Sequence, residues 1–246
     1  MLHYSTIGLF LSFVAALSGL ATAASNDFDV LIFTQRWPKT VCYIWKESSA
    51  AHTCSLPKDD EEWTIHGIWP SQYKKMGPQF CKPSVPFNPT ALRPVEGQLK
   101  EKWIDIEYGT ESYSLWKHEW DKHGTCAAVL EPLNTEVKYF KEGLTLLDRY
   151  DMKNVLARAR ILPGGAYTAT NILDGVHRVL GKEAQITCRK DKHSGKSYIF
   201  EIRICFDKTL ELTDCNGIYE FPTNCDPHQN VIYPGTVPGN YFAVQS

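Results

Sequence analysis

The chain has 246 residues, of which 43% are hydrophobic, and its net charge is −2 when the histidines are neutral. This composition is ordinary for a globular protein and allows one large domain or two small ones. It excludes a global positive field that would recruit nucleic acid. Any polyanion must be held by local cations, or at a pH at which the eight histidines become charged.

The N-terminal segment predicts export. Residues 7–24 carry no charged side chain, and Ala21-Thr22-Ala23 provides a small-x-small cleavage site, so we expect a signal peptide over 1–24. A membrane anchor is the alternative, because the uncharged stretch is close to the length that spans a bilayer. No later segment is apolar enough to span, which leaves 25–246 as the mature chain with no membrane partner.

All eight cysteines follow this segment, and an even number in an exported chain predicts a disulfide framework. Eight cysteines can pair in about 100 ways, so the pattern alone selects no pairing. A cysteine-based zinc site is disfavoured because the sequence has no Cys-x-x-Cys pair.

The first half of the chain predicts strands separated by irregular segments. Residues 28–34 are apolar and rich in β-formers, which predicts a buried strand. We expect a loop over 42–60 and a second strand over 63–68, which places His66 on or beside that strand. Five prolines lie in the segment 71–98, and it is predicted to be mostly irregular.

Helices dominate the middle of the chain, and strands return near its end. The predicted elements are a helix over 114–123 stopped by Gly124, an amphipathic helix over 135–150, a helix over 152–161, a helix capped by Thr168 or Thr170 and stopped by Gly181, and strands over 184–188 and 198–206. A Pro/Gly-rich tail follows Cys225. With no interdomain linker, this order predicts one α+β domain.

Two segments concentrate the residues suited to proton transfer, 63–70 (Trp-Thr-Ile-His-Gly-Ile-Trp-Pro) and 118–126 (His-Glu-Trp-Asp-Lys-His-Gly-Thr-Cys). On a helix, the second segment presents four side chains within an arc of about 140°: His118, Glu119, Lys122 and His123. We expect Glu119, four residues before His123, to orient that ring and raise its pKa. The lysine can neutralise charge on a phosphoryl oxygen.

Other interpretations of these residues remain open. A zinc hydrolase is the weakest, because the helix histidines are five residues apart instead of four. His66 could be a satisfied core residue, and Trp69 could be a stacking platform for a base.

These two segments closely resemble the active-site segments of the ribonuclease T2 family of secreted acid ribonucleases, with the animal branch the nearest match. Residues 34–38 followed by Cys42 resemble the first core strand of that family, and the similarity extends from about Phe28 to Cys225. The implied fold is α+β, a central antiparallel β-sheet with packed α-helices in one disulfide-stapled domain.

The resemblance implies a catalytic role for each residue. His123 would be the general base for the ribose 2′-hydroxyl, and His66 the general acid for the departing 5′-oxygen. Glu119 and Lys122 would stabilise the pentacoordinate phosphorus while His118 helps to hold the phosphate. Single-stranded RNA would be cleaved at acid pH through a 2′,3′-cyclic phosphate to 3′-phosphate ends. No metal or cofactor is expected, and DNA should be inert.

Further expectations concern the framework and the cellular setting. The resemblance implies the pairs Cys42–Cys54, Cys81–Cys126, Cys188–Cys225 and Cys205–Cys215. Ser71 and Leu115 depart from the family pattern, which leaves the base preference open. We expect a monomer in the extracellular space or the lysosomal lumen. The alternative from another class is a secreted RNA-binding or signalling protein that acts through a partner.

Overall fold

The computed structural model describes residues 27–82, 84–239 and 244–245. The expected signal peptide over 1–24 lies outside these residues. Within these ranges, no helix combines the length and the apolar character needed to cross a membrane.

The strands form a central sheet and a small side sheet. In chain order they are β1 (Val30–Arg36), β2 (Thr53–Leu56), β3 (Thr64–Ser71), β4 (Glu107–Tyr108), β5 (Ala166–Tyr167), β6 (Gln185–Lys190), β7 (Ser197–Phe206), β8 (Leu212–Thr213), β9 (Val231–Ile232) and β10 (Val244–Gln245). Over the described residues, the central sheet has the order β3-β1-β7-β9-β5, and β6 and β8 also pair with β7. β1 is antiparallel to both β3 and β7, whereas β9 is parallel to β7. The predicted sheet is therefore confirmed as mainly antiparallel.

The helices are α1 (Pro38–Ser48), α2 (Glu96–Lys102), α3 (Ser114–Glu119), α4 (Thr125–Ala127), α5 (Glu136–Tyr150), α6 (Met152–Arg158) and α7 (Ala169–Leu180), with 3₁₀ turns at Pro89–Leu92 and Glu131–Leu133 and a π-helical turn at Trp120–Gly124. The predicted caps of α7 are present: the Thr168 side chain accepts a hydrogen bond from the Asn171 amide, and Gly181 adopts a φ of 70°. This left-handed conformation suits glycine at a helix end.

The loop predicted over 42–60 is wrong, because α1 and β2 occupy most of it. Pro38 begins α1 in its first turn, where its missing N–H removes no intrahelical hydrogen bond. Val41 and Cys42 are buried, and the Cys42–Cys54 disulfide joins the helix to β2. Pro38 therefore starts a helix directly after β1.

The helix predicted to stop at Gly124 instead continues to Ala127. Gly124 has helical dihedral angles of −59° and −41° and lies within the π-helical turn. A Cβ at this position would lie 2.3 Å from the ring of Trp120. The glycine therefore allows Trp120 to pack closely, and it does not end the helix.

The main core lies between the central sheet and the helices. It includes Trp116 and Trp120, which lie on either side of His118 and Glu119 in the sequence. Trp116 donates its indole N–H to the carbonyl of Trp103 at 2.7 Å. Trp120 packs edge-on against Tyr139 of α5, with ring centroids 5.7 Å apart. These contacts anchor α3 and the π-helical turn to the rest of the fold.

Candidate active site

A β-bulge in β3 aims His66 into a cleft. The ladder between β1 and β3 pairs Thr34 with Gly67 but Gln35 with Ile65, so His66 is the extra residue of the bulge. Residues three apart on a regular strand point to opposite faces. With the bulge, His66 and Trp69 line the same cleft.

The main chain of β3 is held from behind by two aromatic side chains. Trp103 donates its indole N–H to the carbonyl of His66 at 2.9 Å. The Tyr139 hydroxyl donates to the carbonyl of Ile68 at 2.9 Å and accepts from its amide at 3.2 Å. These bonds fix the backbone on both sides of Gly67.

Glu119 is pressed against β3 at a glycine. Its side chain is 1% exposed, and its Oε2 accepts a hydrogen bond from the indole N–H of Trp69 at 2.8 Å. A Cβ on Gly67 would lie 2.0 Å from that same oxygen. The absence of a side chain at residue 67 therefore makes room for the carboxylate.

The disulfide Cys81–Cys126 attaches the loop after β3 to the turn that carries the histidines. The Phe80 amide also donates to the carbonyl of Lys122 at 2.9 Å, and the Cys81 amide donates to Oγ1 of Thr125 at 3.1 Å. The other pairs are Cys42–Cys54, Cys188–Cys225 and Cys205–Cys215. These are the pairs that the family resemblance implies.

The predicted site residues converge on a cleft of about 380 Å³. Its lining includes all six of them, His66, Trp69, His118, Glu119, Lys122 and His123. Ser71 lies in the same cleft. A larger cavity of about 650 Å³ lies along residues 104–116 and includes Leu115, but it shares no lining residue with the histidine cleft.

His66 lies between two buried carboxylates. Its Nδ1 is 2.6 Å from Oε1 of Glu201, and its Nε2 is 3.7 Å from Oε1 of Glu119. The imidazole meets the Trp69 ring edge-on, with centroids 5.0 Å apart. His66 is thus a cleft residue with a strong hydrogen bond on one nitrogen only.

His123 has the opposite environment. Its ring is 5.3 Å from that of Trp69, and its Nδ1 is buried with no hydrogen-bond partner among the described residues. Burial, followed by the charges of Lys122, His66 and His118, lowers the pKa of His123 to about 2. His123 is therefore neutral at acid pH.

The expectation that Glu119 orients His123 and raises its pKa is wrong. The Glu119 carboxylate contacts Trp69 and faces His66 instead, because the π-helical turn between 119 and 123 changes the rotation assumed for a regular helix. Burial of the imidazole then determines the direction of its pKa shift.

The remaining polar groups of the cleft are set by burial and by Lys122. Burial raises the pKa of Glu119, against the opposing effects of His66, Trp69, Arg36 and Lys122. Desolvation and the neighbouring Lys122 ammonium lower the pKa of His118. Within the described part of the chain, Nζ of Lys122 forms no ion pair, so its charge is available to a bound anion.

Glu201 and Arg203 also line this region, and the sequence interpretation missed both. They are the charged residues of β7, at alternate positions in a strand that is otherwise apolar after Ser197 and Tyr198. That spacing places both on one sheet face. The strand order β3-β1-β7, which brings this face to His66, has no signal in the sequence.

Trp69 contacts several other residues of the cleft in addition to Glu119. The Arg203 guanidinium carbon lies 5.1 Å from the centre of its ring, and the rings of His66 and His123 also contact it. Stacking of a base on Trp69 stays a prediction. Among the described residues, the one cluster able to offer three metal ligands, Glu47, Asp191 and His193, is not part of the cleft lining.

The comparison with known proteins identifies the family. The model of the Ribonuclease T2 family matches residues 28–215. The chain belongs to the ribonuclease T2 family. The family prediction is confirmed, and so is the fold class, a disulfide-containing α+β ribonuclease T2 fold.

Individual ribonuclease T2 relatives cover most of the chain. Ribonuclease Oy of Magallana gigas is 36% identical over 213 residues, which are 85% of this chain and 97% of that protein. Extracellular ribonuclease LE of Solanum lycopersicum is 32% identical over 91% of this chain and 100% of its own length. The relatives include animal proteins such as ribonuclease Oy, which is compatible with the animal branch. The crystal structure of RNase NT in complex with 5′-AMP superposes with a TM-score of 0.69 at 26% identity, covering 85% of this chain and 98% of that one.

Proposed function

We propose that this chain is an acid endoribonuclease that cleaves single-stranded RNA by transphosphorylation. The observation that carries the proposal is the pair His66 and His123. They come from different elements, line one cleft and contact the same indole, yet only His66 is bonded to a carboxylate. Separate proton donor and acceptor groups in different environments are what general acid–base catalysis requires.

His123 is the general base in this proposal. A base must be neutral when substrate binds, and a pKa of about 2 keeps the imidazole neutral throughout the acid range. It takes the proton from the ribose 2′-hydroxyl, whose oxygen attacks the adjacent phosphorus. Because nucleophile and phosphate belong to the same nucleotide, the attack is intramolecular and needs no activated water.

His66 is the general acid, and its protonated form gives its Nε2 proton to the departing 5′-oxygen. Lys122 and Glu119 stabilise the pentacoordinate phosphorus, the first by its unpaired charge and the second from the buried wall beside Trp69. His118, at the mouth of the cleft, helps to hold the phosphate. The cyclic product is then hydrolysed to a 3′-phosphate end.

The substrate class follows from the same chemistry. RNA supplies the internal 2′-hydroxyl and DNA does not, so DNA should be bound weakly and left uncut. The 5′-AMP bound by the related RNase NT supports a nucleotide ligand. No observation favours the binding or signalling alternative, since all five residues with proposed chemical roles line the cleft.

We also propose that 1–24 is removed and that 25–246 acts as one monomeric domain, free of membrane, in the extracellular space or the lysosomal lumen. The extracellular relative from Solanum lycopersicum and the four disulfides support an oxidising, exported setting. N-terminal sequencing and light scattering of the protein secreted from expressing cells test this part. A retained N-terminus or a stable dimer would contradict it.

The activity is tested with His66→Ala and His123→Ala on a defined RNA oligonucleotide at pH 5. Each variant should lose at least about 1,000-fold in kcat while keeping the wild-type circular dichroism spectrum. His177→Ala is the matched control, because His177 is exposed on α7, pairs with Glu183 at 3.4 Å and is not one of the residues that line the cleft; it should retain full activity. Near wild-type turnover by either cleft variant would refute the assignment of acid and base.

A further inference from the structure

The strongest contact of His66 is made with a residue that no assigned role uses. Oε1 of Glu201 lies 2.6 Å from Nδ1 of His66, and the Glu201 side chain is 2% exposed. Its other oxygen, Oε2, accepts from Nη2 and Nε of Arg203 at 2.6 and 3.1 Å. Both oxygens are occupied, so the carboxylate is held in one orientation.

Arg203 is itself fixed. Its Nη1 donates to Oε1 of Gln185 at 3.0 Å, and its guanidinium lies over the Trp69 ring. His66, Glu201, Arg203 and Trp69 therefore form a closed set of contacts in the wall of the cleft. A histidine that is merely packed in a core would not need a buried ion pair to support it.

We propose that Glu201 is a positioning residue for His66: it holds the proton on Nδ1 and leaves Nε2 as the nitrogen that exchanges protons with the substrate. The role of Nε2 toward the substrate rests on the proposed ribonuclease function, whereas the position of the proton on Nδ1 rests on the geometry alone. An ionised carboxylate only accepts hydrogen bonds, so the nitrogen it contacts must carry the hydrogen. Nε2 is 3.7 Å from Glu119, too far for a hydrogen bond, so among the described residues this nitrogen has no hydrogen-bond partner.

The two carboxylates beside His66 have pKa values that are shifted in opposite directions. Burial alone would raise the pKa of Glu201, but the hydrogen bond and charge of His66 and the Arg203 guanidinium hold it at about 2. Burial raises the pKa of Glu119 instead. At acid pH Glu201 thus remains an anion when Glu119 begins to take up a proton. Glu201 is the carboxylate that can support a cationic His66 through the range in which the enzyme would act.

Several other charged groups surround His66 or its two carboxylate neighbours and are unchanged in the test below. They are Arg203 of β7, Arg36 of β1, His118 and Glu119 of α3, Lys122 and His123 of the π-helical turn, and Glu220 of the loop that lines the same cleft. Because these stay in place, a change produced at residue 201 reports on its own charge.

The experiment uses wild type and Glu201→Gln, with Glu183→Gln as the matched control. Glu183 faces a histidine, His177, at 3.4 Å on the exposed surface, and it is not one of the residues that line the cleft. Two-dimensional ¹H–¹⁵N spectra of the imidazole nitrogens report the tautomer of neutral His66. RNA cleavage from pH 3 to 8 reports kcat and KM.

In wild type we expect the hydrogen of neutral His66 on Nδ1. In Glu201→Gln the tautomers should mix, because a side-chain amide can donate as well as accept. The alkaline limb of the kcat profile should move to lower pH by roughly one unit, since an anion beside the ring has been removed. KM should change by less than about twofold, and Glu183→Gln should match wild type.

Two results would overturn the proposal: a wild-type tautomer with the hydrogen on Nε2, or a Glu201→Gln profile that coincides with wild type. The tautomer is measured on the wild-type protein, so the proposal can still be refuted if Glu201→Gln fails to fold. A wild-type protein with the expected tautomer but no RNA cleavage would refute the ribonuclease function and support the positioning role.

Discussion

Substitution of Gly67 by alanine tests how closely the helix turn must approach β3. The new Cβ would lie 2.0 Å from Oε2 of Glu119 and 2.3 Å from the indole nitrogen of Trp69, against an ordinary contact of 3.4 Å or more. The carboxylate would have to move by about 1.4 Å. Its 2.8 Å hydrogen bond from Trp69 could not survive that shift.

The expected cost has two parts. Loss of a hydrogen bond to a charged group destabilises by about 1.5–3 kcal/mol. The forced repacking adds about 1–3 kcal/mol. We therefore expect the free energy of unfolding to fall by about 2.5–6 kcal/mol. Since a misplacement near 1 Å in an active site costs about 100-fold, kcat/KM should fall by that order.

The assay is urea unfolding followed by tryptophan fluorescence, together with RNA cleavage at pH 5. Gly97→Ala is the matched control, because a Cβ there meets nothing within 4 Å in α2. It should raise stability by about 0.5–1 kcal/mol and leave kcat unchanged. Glu119→Asp should reduce the cost of Gly67→Ala, because a shorter side chain leaves space for the methyl group. Equal costs in both backgrounds, or a Gly67→Ala protein with wild-type stability, would refute the steric reasoning.

Three further predictions concern the same framework. The folded pKa of His123, about 2, lies below its ordinary value of 6.5, so the unfolded chain binds the extra proton and the free energy of unfolding should fall by about 2 kcal/mol between pH 6.5 and 4.5. His123→Gln should remove that pH dependence, as measured by urea unfolding at each pH. If the variant and the wild type lost the same free energy of unfolding on acidification, the prediction would be contradicted. Tyr139→Phe removes both hydrogen bonds to Ile68 and should cost about 1–3 kcal/mol by thermal unfolding; an unchanged Tm would argue against the bracing of β3. Trp69→Phe removes the donor to Glu119 and should lower kcat about tenfold with little change in KM, whereas a rise in KM alone would favour base stacking.

Much of the site was predictable because it depends on local sequence. The four polar residues of the helix turn are close in the chain, and the strand around His66 has a clear β pattern, so both segments can be assigned from the amino-acid sequence alone. The caps Thr168 and Gly181 follow rules that act over a few residues.

The parts that sequence did not predict depend on long-range contacts or on single-residue irregularities. The bulge at His66 and the π-helical turn after Glu119 each change the direction of side chains without a distinctive residue pattern. Glu201 meets His66 across 135 positions of sequence, through a strand order that no local pattern encodes. The predicted direction of the His123 pKa shift was wrong for the same reason, since burial is a property of the assembled fold.

The most direct test of the central claim is the chemical nature of the first product. Wild-type protein is incubated with a short single-stranded RNA at pH 5 in the presence of a chelator, and the termini are followed over time by ³¹P NMR. Two histidines acting on an internal nucleophile should give a 2′,3′-cyclic phosphate that forms first and then converts to a 3′-phosphate, with no dependence on metal. Direct formation of a 5′-phosphate end, or loss of cleavage with the chelator, would contradict the account.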